Sequence, residues 1–163
     1  MIAAVLHGPR DLRLQSRPAL EPGVGEAVIQ VQAAGLCGTD HRIWTGDRTV
    51  EYPRVMGHEF IGTVLAVGSG VDGLGLGEKV AVEPNYSCGA CPLCREGNRN
   101  LCLSRTAVGI DVDGGFAEQV KVPARRTGRL EEIGPLVVYL ASPASDFMTG
   151  QTVFLDGGHS AGS

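Results

Sequence analysis

At 163 residues and a net charge of −4, the chain has room for one domain, or one domain with an appendage, and can bury a core without staples. Its basic residues are scattered, with Arg125-Arg126 the one adjacent pair, so nucleic acid is not an expected partner. The N-terminal residues lack a basic leader and no apolar run nears ~18 residues, so neither a signal peptide nor a membrane partner is expected, and five cysteines without an export signal fit a reducing cytoplasm where thiolates serve metals.

The pattern along the chain is that of short strands between tight turns, as 24 glycines and 9 prolines imply. Residues 2–6 and 12–14 read as opening strands, followed by a turn-rich connection at Pro18, Pro22, Gly23 and Gly25. Residues 27–33 form a strand in which Ile29, Val31 and Ala33 share a face. Gly35-Leu36-Cys37-Gly38-Thr39-Asp40 then turns into one or two helical turns ending near Trp44. Further strands are expected at residues 60–67, 79–82 and 116–122. The predicted fold is mainly β, a small, partly open barrel with short helices. From Glu131 the period changes: Ile133, Leu136, Val137 and Leu140 follow helical spacing, with Glu131 and Glu132 at the favourable end and Pro143 as the stop. Residues 151–155 are a last strand candidate, ended by Asp156-Gly157-Gly158.

The densest chemistry lies in Cys88-Gly89-Ala90-Cys91-Pro92-Leu93-Cys94, closed by Cys102. Thiolates at this spacing can turn inward from a short loop and hold one soft cation tetrahedrally. Two disulfides are the bland alternative, disfavoured in a reducing compartment. An iron–sulfur cluster is the other, but there the fourth cysteine follows after about three residues and precedes proline, whereas Leu103 follows Cys102. Structural zinc is the preferred reading. The remaining cysteine, Cys37, lies upstream of Gly57-His58-Glu59. A thiolate, an imidazole and a carboxylate brought together by folding are the mixed ligands of a catalytic zinc with an open position; taken singly, a lone cysteine is more often a small core residue.

In this order, the Cys37-Gly38-Thr39-Asp40 turn, Gly57-His58-Glu59, the four-cysteine lobe and Asp113-Gly114-Gly115-Phe116-Ala117-Glu118 resemble the zinc-dependent medium-chain alcohol dehydrogenases, with the closer likeness to the sorbitol and threonine dehydrogenase branch, over about residues 1–122. The resemblance implies a GroES-like catalytic domain, here residues 1–125. It implies a structural zinc on Cys88, Cys91, Cys94 and Cys102. It also implies a catalytic zinc on Cys37 and His58, with Glu59 beside or on the metal, and Thr39 as the hydroxyl that relays the alcohol's proton. The branch often carries a relay histidine three residues beyond that threonine; here Arg42 stands there and the histidine is His41. The implied reaction is hydride transfer from a zinc-bound alkoxide of a small alcohol or polyol to NAD or NADP, since zinc polarises the oxygen but carries no electrons itself.

No dinucleotide-binding domain is seen. Gly68-Ser69-Gly70-Val71-Asp72-Gly73 satisfies a phosphate-loop pattern, but Leu74-Gly75-Leu76-Gly77 cannot sustain the helix that must follow, so a turn is expected. Residues 123–158 instead resemble the C-terminal end of short-chain dehydrogenases, without that family's Tyr-x-x-x-Lys pair: Tyr139 is followed four places on by Pro143. Residues 126–163 are therefore expected as a helix–strand tail, loosely held, paired with a barrel edge, or docked in a homo-oligomer. The alternative function is a non-catalytic zinc-binding domain, truncated or rearranged.

Overall fold

The computed structural model describes residues 1–145. The chain opens with an antiparallel hairpin of β1 (Ile2–Gly8) and β2 (Asp11–Ser16), each longer than expected from the sequence. β3 (Glu26–Ala34) leads through a short turn into α1 (Gly38–Thr45), and Gly46, left-handed at φ 92°, ends that helix. Next come β4 (Arg54–Val55), β5 (Phe60–Val67), β6 (Lys79–Val82) and β7 (Asn85–Tyr86). The cysteine-rich loop contains α2 (Pro92–Arg95) and is followed by β8 (Thr106–Ala107), β9 (Gln119–Pro123), β10 (Thr127–Arg129) and α3 (Leu130–Leu140).

These strands make the mainly β architecture expected, as open sheets in the orders β2-β1-β4, β10-β6-β5-β3-β9 and β7-β8. The predicted strand at residues 116–122 is shorter, because residues 116–118 cross between sheets instead of lying in one. Phe116 C=O accepts from Ala4 N–H at 2.8 Å, Glu118 N–H donates to Ile2 C=O at 2.9 Å, and Glu118 C=O accepts from Val31 N–H at 2.9 Å. This stretch joins the hairpin sheet to the larger one.

The core cluster lies on the larger sheet, with Ala27, Ile29, Val64, Val80, Val120 and Val122 among its buried members. Burying each Val or Ile there contributes about 1.5–3 kcal/mol. The alternation read from residues 27–33 is broken. Ile29 is buried but Ala33 is exposed, and Val28, beside Ile29 in the strand, is also buried. Register shifts at Val28/Ile29 and Val31/Ala33 explain this, since an extra residue in one strand re-aims the side chains beyond it. A second cluster packs Leu6, Ile43 and Met56, seating α1 on the hairpin sheet.

Gly68–Gly73 belongs to the antiparallel connection between β5 and β6, the turn that was expected. The short β10 adds to the free edge of β6, with Thr127 opposite Val82 and Arg129 opposite Val80. α3 starts at Leu130 and ends at Leu140, before Pro143, where Ser142 Oγ donates to Tyr139 C=O at 2.8 Å. The strand candidate at residues 151–155 lies outside the described residues. Among the described residues, no helix is long and apolar enough to cross a membrane.

Candidate metal centres

The four-cysteine loop closes on itself. Pro92 starts α2 directly after Cys91, its fixed φ suiting a first helical position. Arg95 N–H donates to Cys91 C=O at 3.0 Å and Asn98 N–H to Leu93 C=O at 2.8 Å, which turns Cys94 inward. The 3-10 turn Arg99–Leu101 then delivers Cys102. All four sulfurs lie within 4.8 Å of one another. Cys88 Sγ and Cys94 Sγ are 4.0 Å apart, close to the roughly 3.8 Å that a tetrahedral ion with ~2.3 Å bonds to sulfur requires. No disulfide is present, and all five cysteines are free thiols.

Backbone N–H groups already favour negative sulfur here. Cys88 N–H donates to Cys102 Sγ at 3.2 Å, and Cys91 N–H to Cys88 Sγ at 3.4 Å. The N–H groups of Leu103 and Cys94 hold the Cys91 thiol down to about 6, and those of Ala90 and Cys91 lower Cys88. Burial, with the sulfur of Cys91 next in effect, pushes Cys94 up to about 12. Four sulfurs this close cannot all carry charge without a cation between them. A thiolate-binding divalent ion fits the donor set and would remove that conflict.

The second group joins distant parts of the chain. Cys37 is the N-cap of α1, and His58 and Glu59 stand just before β5. Cys37 Sγ and His58 Nε2 are 3.1 Å apart, and one ligand atom from each of Cys37, His58 and Glu59 falls within 4.8 Å of the others. Glu59 is exposed; its C=O accepts from Gly35 N–H at 2.7 Å, and a Cβ on Gly35 would come to 3.1 Å from its Oε2. Thr39 lies in the first turn of α1, and its N–H donates to Cys37 Sγ at 3.3 Å. His41 and Arg42 are both exposed.

Asp40, not among the site residues expected from the sequence, ties this group together. It is 2% exposed. Its Oδ2 accepts from Cys37 N–H at 3.0 Å, and its Oδ1 faces His58 Nδ1 at 3.4 Å. These last two atoms are buried and neither makes a well-aligned hydrogen bond, so the contact is an electrostatic one at ion-pair range. A cation taken by Nε2 would put the ring proton on Nδ1, toward the carboxylate, the usual support for a metal-binding imidazole. The signal available in the sequence was the spacing of Cys37 and Asp40, N-cap and N3 of a helix start. A cavity of about 600 Å³ opens beside this group, lined by Leu36, Cys37, Asp40, His41, Trp44 and Phe116 among others.

A family model described as the alcohol dehydrogenase GroES-like domain matches residues 23–132. A second, described as enoyl-(acyl carrier protein) reductase, matches residues 106–160, in keeping with the short-chain likeness of the tail. The chain is 40% identical over 133 residues to the starvation-sensing protein RspB of Escherichia coli K12, covering 81% of this chain and 39% of that protein. It is 39% identical over 127 residues to sorbitol dehydrogenase of Bacillus subtilis, covering 75% and 36%. Among solved structures, one described as a short chain alcohol dehydrogenase (rspB) from E. coli CFT073, complexed with NADH, superposes with a TM-score of 0.75 at 40% identity, covering 79% of this chain and 38% of that one. The chain thus spans about two fifths of the length of the curated relatives it matches.

Proposed function

Because the chain belongs to the alcohol dehydrogenase GroES-like domain family, we propose that it is the zinc-binding catalytic domain of an alcohol or polyol dehydrogenase-like oxidoreductase that works with NAD or NADP in the cytoplasm. The observation that carries this reading is the convergence of Cys37, His58 and Glu59, from two separate elements, around a buried carboxylate that addresses two of them. In this reading residues 1–125 form the catalytic domain and residues 126–163 a tail, through which a homo-oligomer can assemble. Cys88, Cys91, Cys94 and Cys102 hold a structural zinc, while Cys37, His58 and Glu59 hold the catalytic one. A zinc held there would supply Lewis acidity to the substrate hydroxyl. Asp40 fixes the tautomer and aim of His58. Thr39, one helical residue from Asp40, takes the alcohol's proton outward. The cavity beside Cys37 receives the rest of the substrate.

Among the described residues there is no dinucleotide fold for the nicotinamide cofactor. Every sheet among the described residues is antiparallel, whereas a dinucleotide fold needs parallel βαβ units. The same observation favours a second reading, a zinc-binding domain that fills its metal sites without performing chemistry alone. Metal analysis tests the shared premise. The chain is expected to bind two zinc ions and Cys37→Ser one; equal content in both would overturn the catalytic centre. Titration with NAD and NADP then separates the readings, since saturable binding near micromolar belongs to the enzyme and its absence to the domain.

A further inference from the structure

The segment Asp113-Gly114-Gly115-Phe116 holds no metal ligand, yet it lies along the loop that delivers His58. Three backbone hydrogen bonds join the two: Gly114 N–H to Val55 C=O at 2.8 Å, Phe116 N–H to Met56 C=O at 2.9 Å, and Gly115 N–H to Gly57 C=O at 2.8 Å. Asp113 adds a fourth, its Oδ1 accepting from Val55 N–H at 2.9 Å. The carboxylate is itself aimed from its other side. Arg17 Nη1 donates to Oδ2 at 2.9 Å, and Arg54 Nη1 stands 3.6 Å from Oδ1.

The approach is so close that side chains are excluded. A Cβ on Gly114 would collide with Gly57 C=O and come within 2.5 Å of Gly109 Cα, and one on Gly109 would come within 2.5 Å of Gly57 C=O. Gly57 and Gly109 also have φ of 90° and 73°, the left-handed region open to glycine. All three glycines are buried. The residues immediately before His58 are therefore held on one path by residues 109 and 113–116.

We propose that Asp113 and Gly114 are positioning residues for the Cys37–His58–Glu59 centre, setting its metal affinity by fixing residues 55–57. This rests on reading that centre as a metal site. A metal ligand must sit within about 0.5 Å of its place, which a loop alone does not secure. The Cys88–Cys102 lobe shares none of these contacts, so its affinity is independent of them.

Cobalt(II) titration of the full chain, followed by absorption, tests this, with Cys37→Ser identifying the band that belongs to the centre. Asp113→Ala is expected to weaken cobalt at that band by roughly 10–100-fold, the effect of losing an outer support, and to leave the lobe's band unchanged. Asp113→Asn keeps an oxygen for Val55 N–H and is expected to retain most of the affinity. Gly114→Ala should abolish the band. If Asp113→Ala does not fold, Arg17→Gln leaves the backbone clamp intact and should lower the same affinity by roughly two- to fivefold. Unchanged cobalt affinity in Asp113→Ala and Arg17→Gln, or equal weakening of both bands, would overturn the proposal. Loss of no band in Cys37→Ser would instead sink the metal-centre reading beneath it.

Discussion

The two cysteine-containing clusters are built in opposite ways. The lobe draws every donor from one loop whose ends, Cys88 and Cys102, are 14 residues apart, and its turns alone point the sulfurs inward. The other centre joins Cys37 to His58 across 21 residues of sequence, and it exists only because α1 and the start of β5 are each packed in place. Local sequence suffices for the first, whereas the second depends on the fold around it. A ligand lost from the lobe should therefore undo local structure, and a ligand lost from the other centre should empty it while the fold stands.

The largest effect should come from Cys94→Ser. Cys94 is buried at the heart of the lobe, and on the proposed reading a metal ion would be the lobe's main source of order. Zinc content should fall by about one per chain, and limited proteolysis should now cut between residues 88 and 102, where the parent chain resists. An intact lobe in that variant would break the contrast.

Asp40→Ala ranks next. It removes the carboxylate that caps Cys37 N–H and faces His58, so metal affinity at that centre should drop roughly 10–100-fold. Loss of the cap should cost about 1 kcal/mol. Competition with a chelator measures the first, and thermal unfolding the second.

An intermediate effect is the pH dependence of the lobe. Each thiol that binds metal must release its proton, so zinc retention in the lobe weakens as pH falls. In the metal-free chain Cys91 is held below its usual value, to about 6. The stability this adds is present above pH ~9 and is lost as pH falls through 6. Cys94 runs the other way. Raised to about 12, it adds stability that is full below pH ~9 and is lost as pH rises toward 12. Hydrogen exchange of residues 88–102 against pH should show protection decline on both sides.

The smallest effect is expected at Arg129, whose Nε donates to Glu78 at 3.1 Å and whose Nη2 donates to Gly73 C=O at 2.7 Å on the surface. Arg129→Ala should hardly move Tm, and added salt should erase what difference there is. A large loss would mean that β10 is a working part of the sheet edge.

Legibility followed the same division. The cysteine spacing gave the lobe because its geometry is set within one turn-rich loop. Strands at residues 60–67 and 79–82 were readable from their residue types, and the Gly68–Gly73 turn from the glycines that follow it. The buried face of β3 is not legible from alternation, because register shifts leave both Val28 and Ile29 buried. The role of Asp40 is not legible in the sequence because its second partner, His58, becomes a neighbour only after folding.

The sequence by itself determined which candidate donors the chain offers, four sulfurs at chelating spacing and a Cys, His and Glu elsewhere, because side-chain chemistry and short-range turns are properties of the chain. Only the tertiary structure decided that Cys37 and His58 meet, that Asp40 reaches both, and that residues 113–116 run along the loop before His58. Such meetings depend on which backbones can approach, and buried glycines with backbone hydrogen bonds settle that at long range.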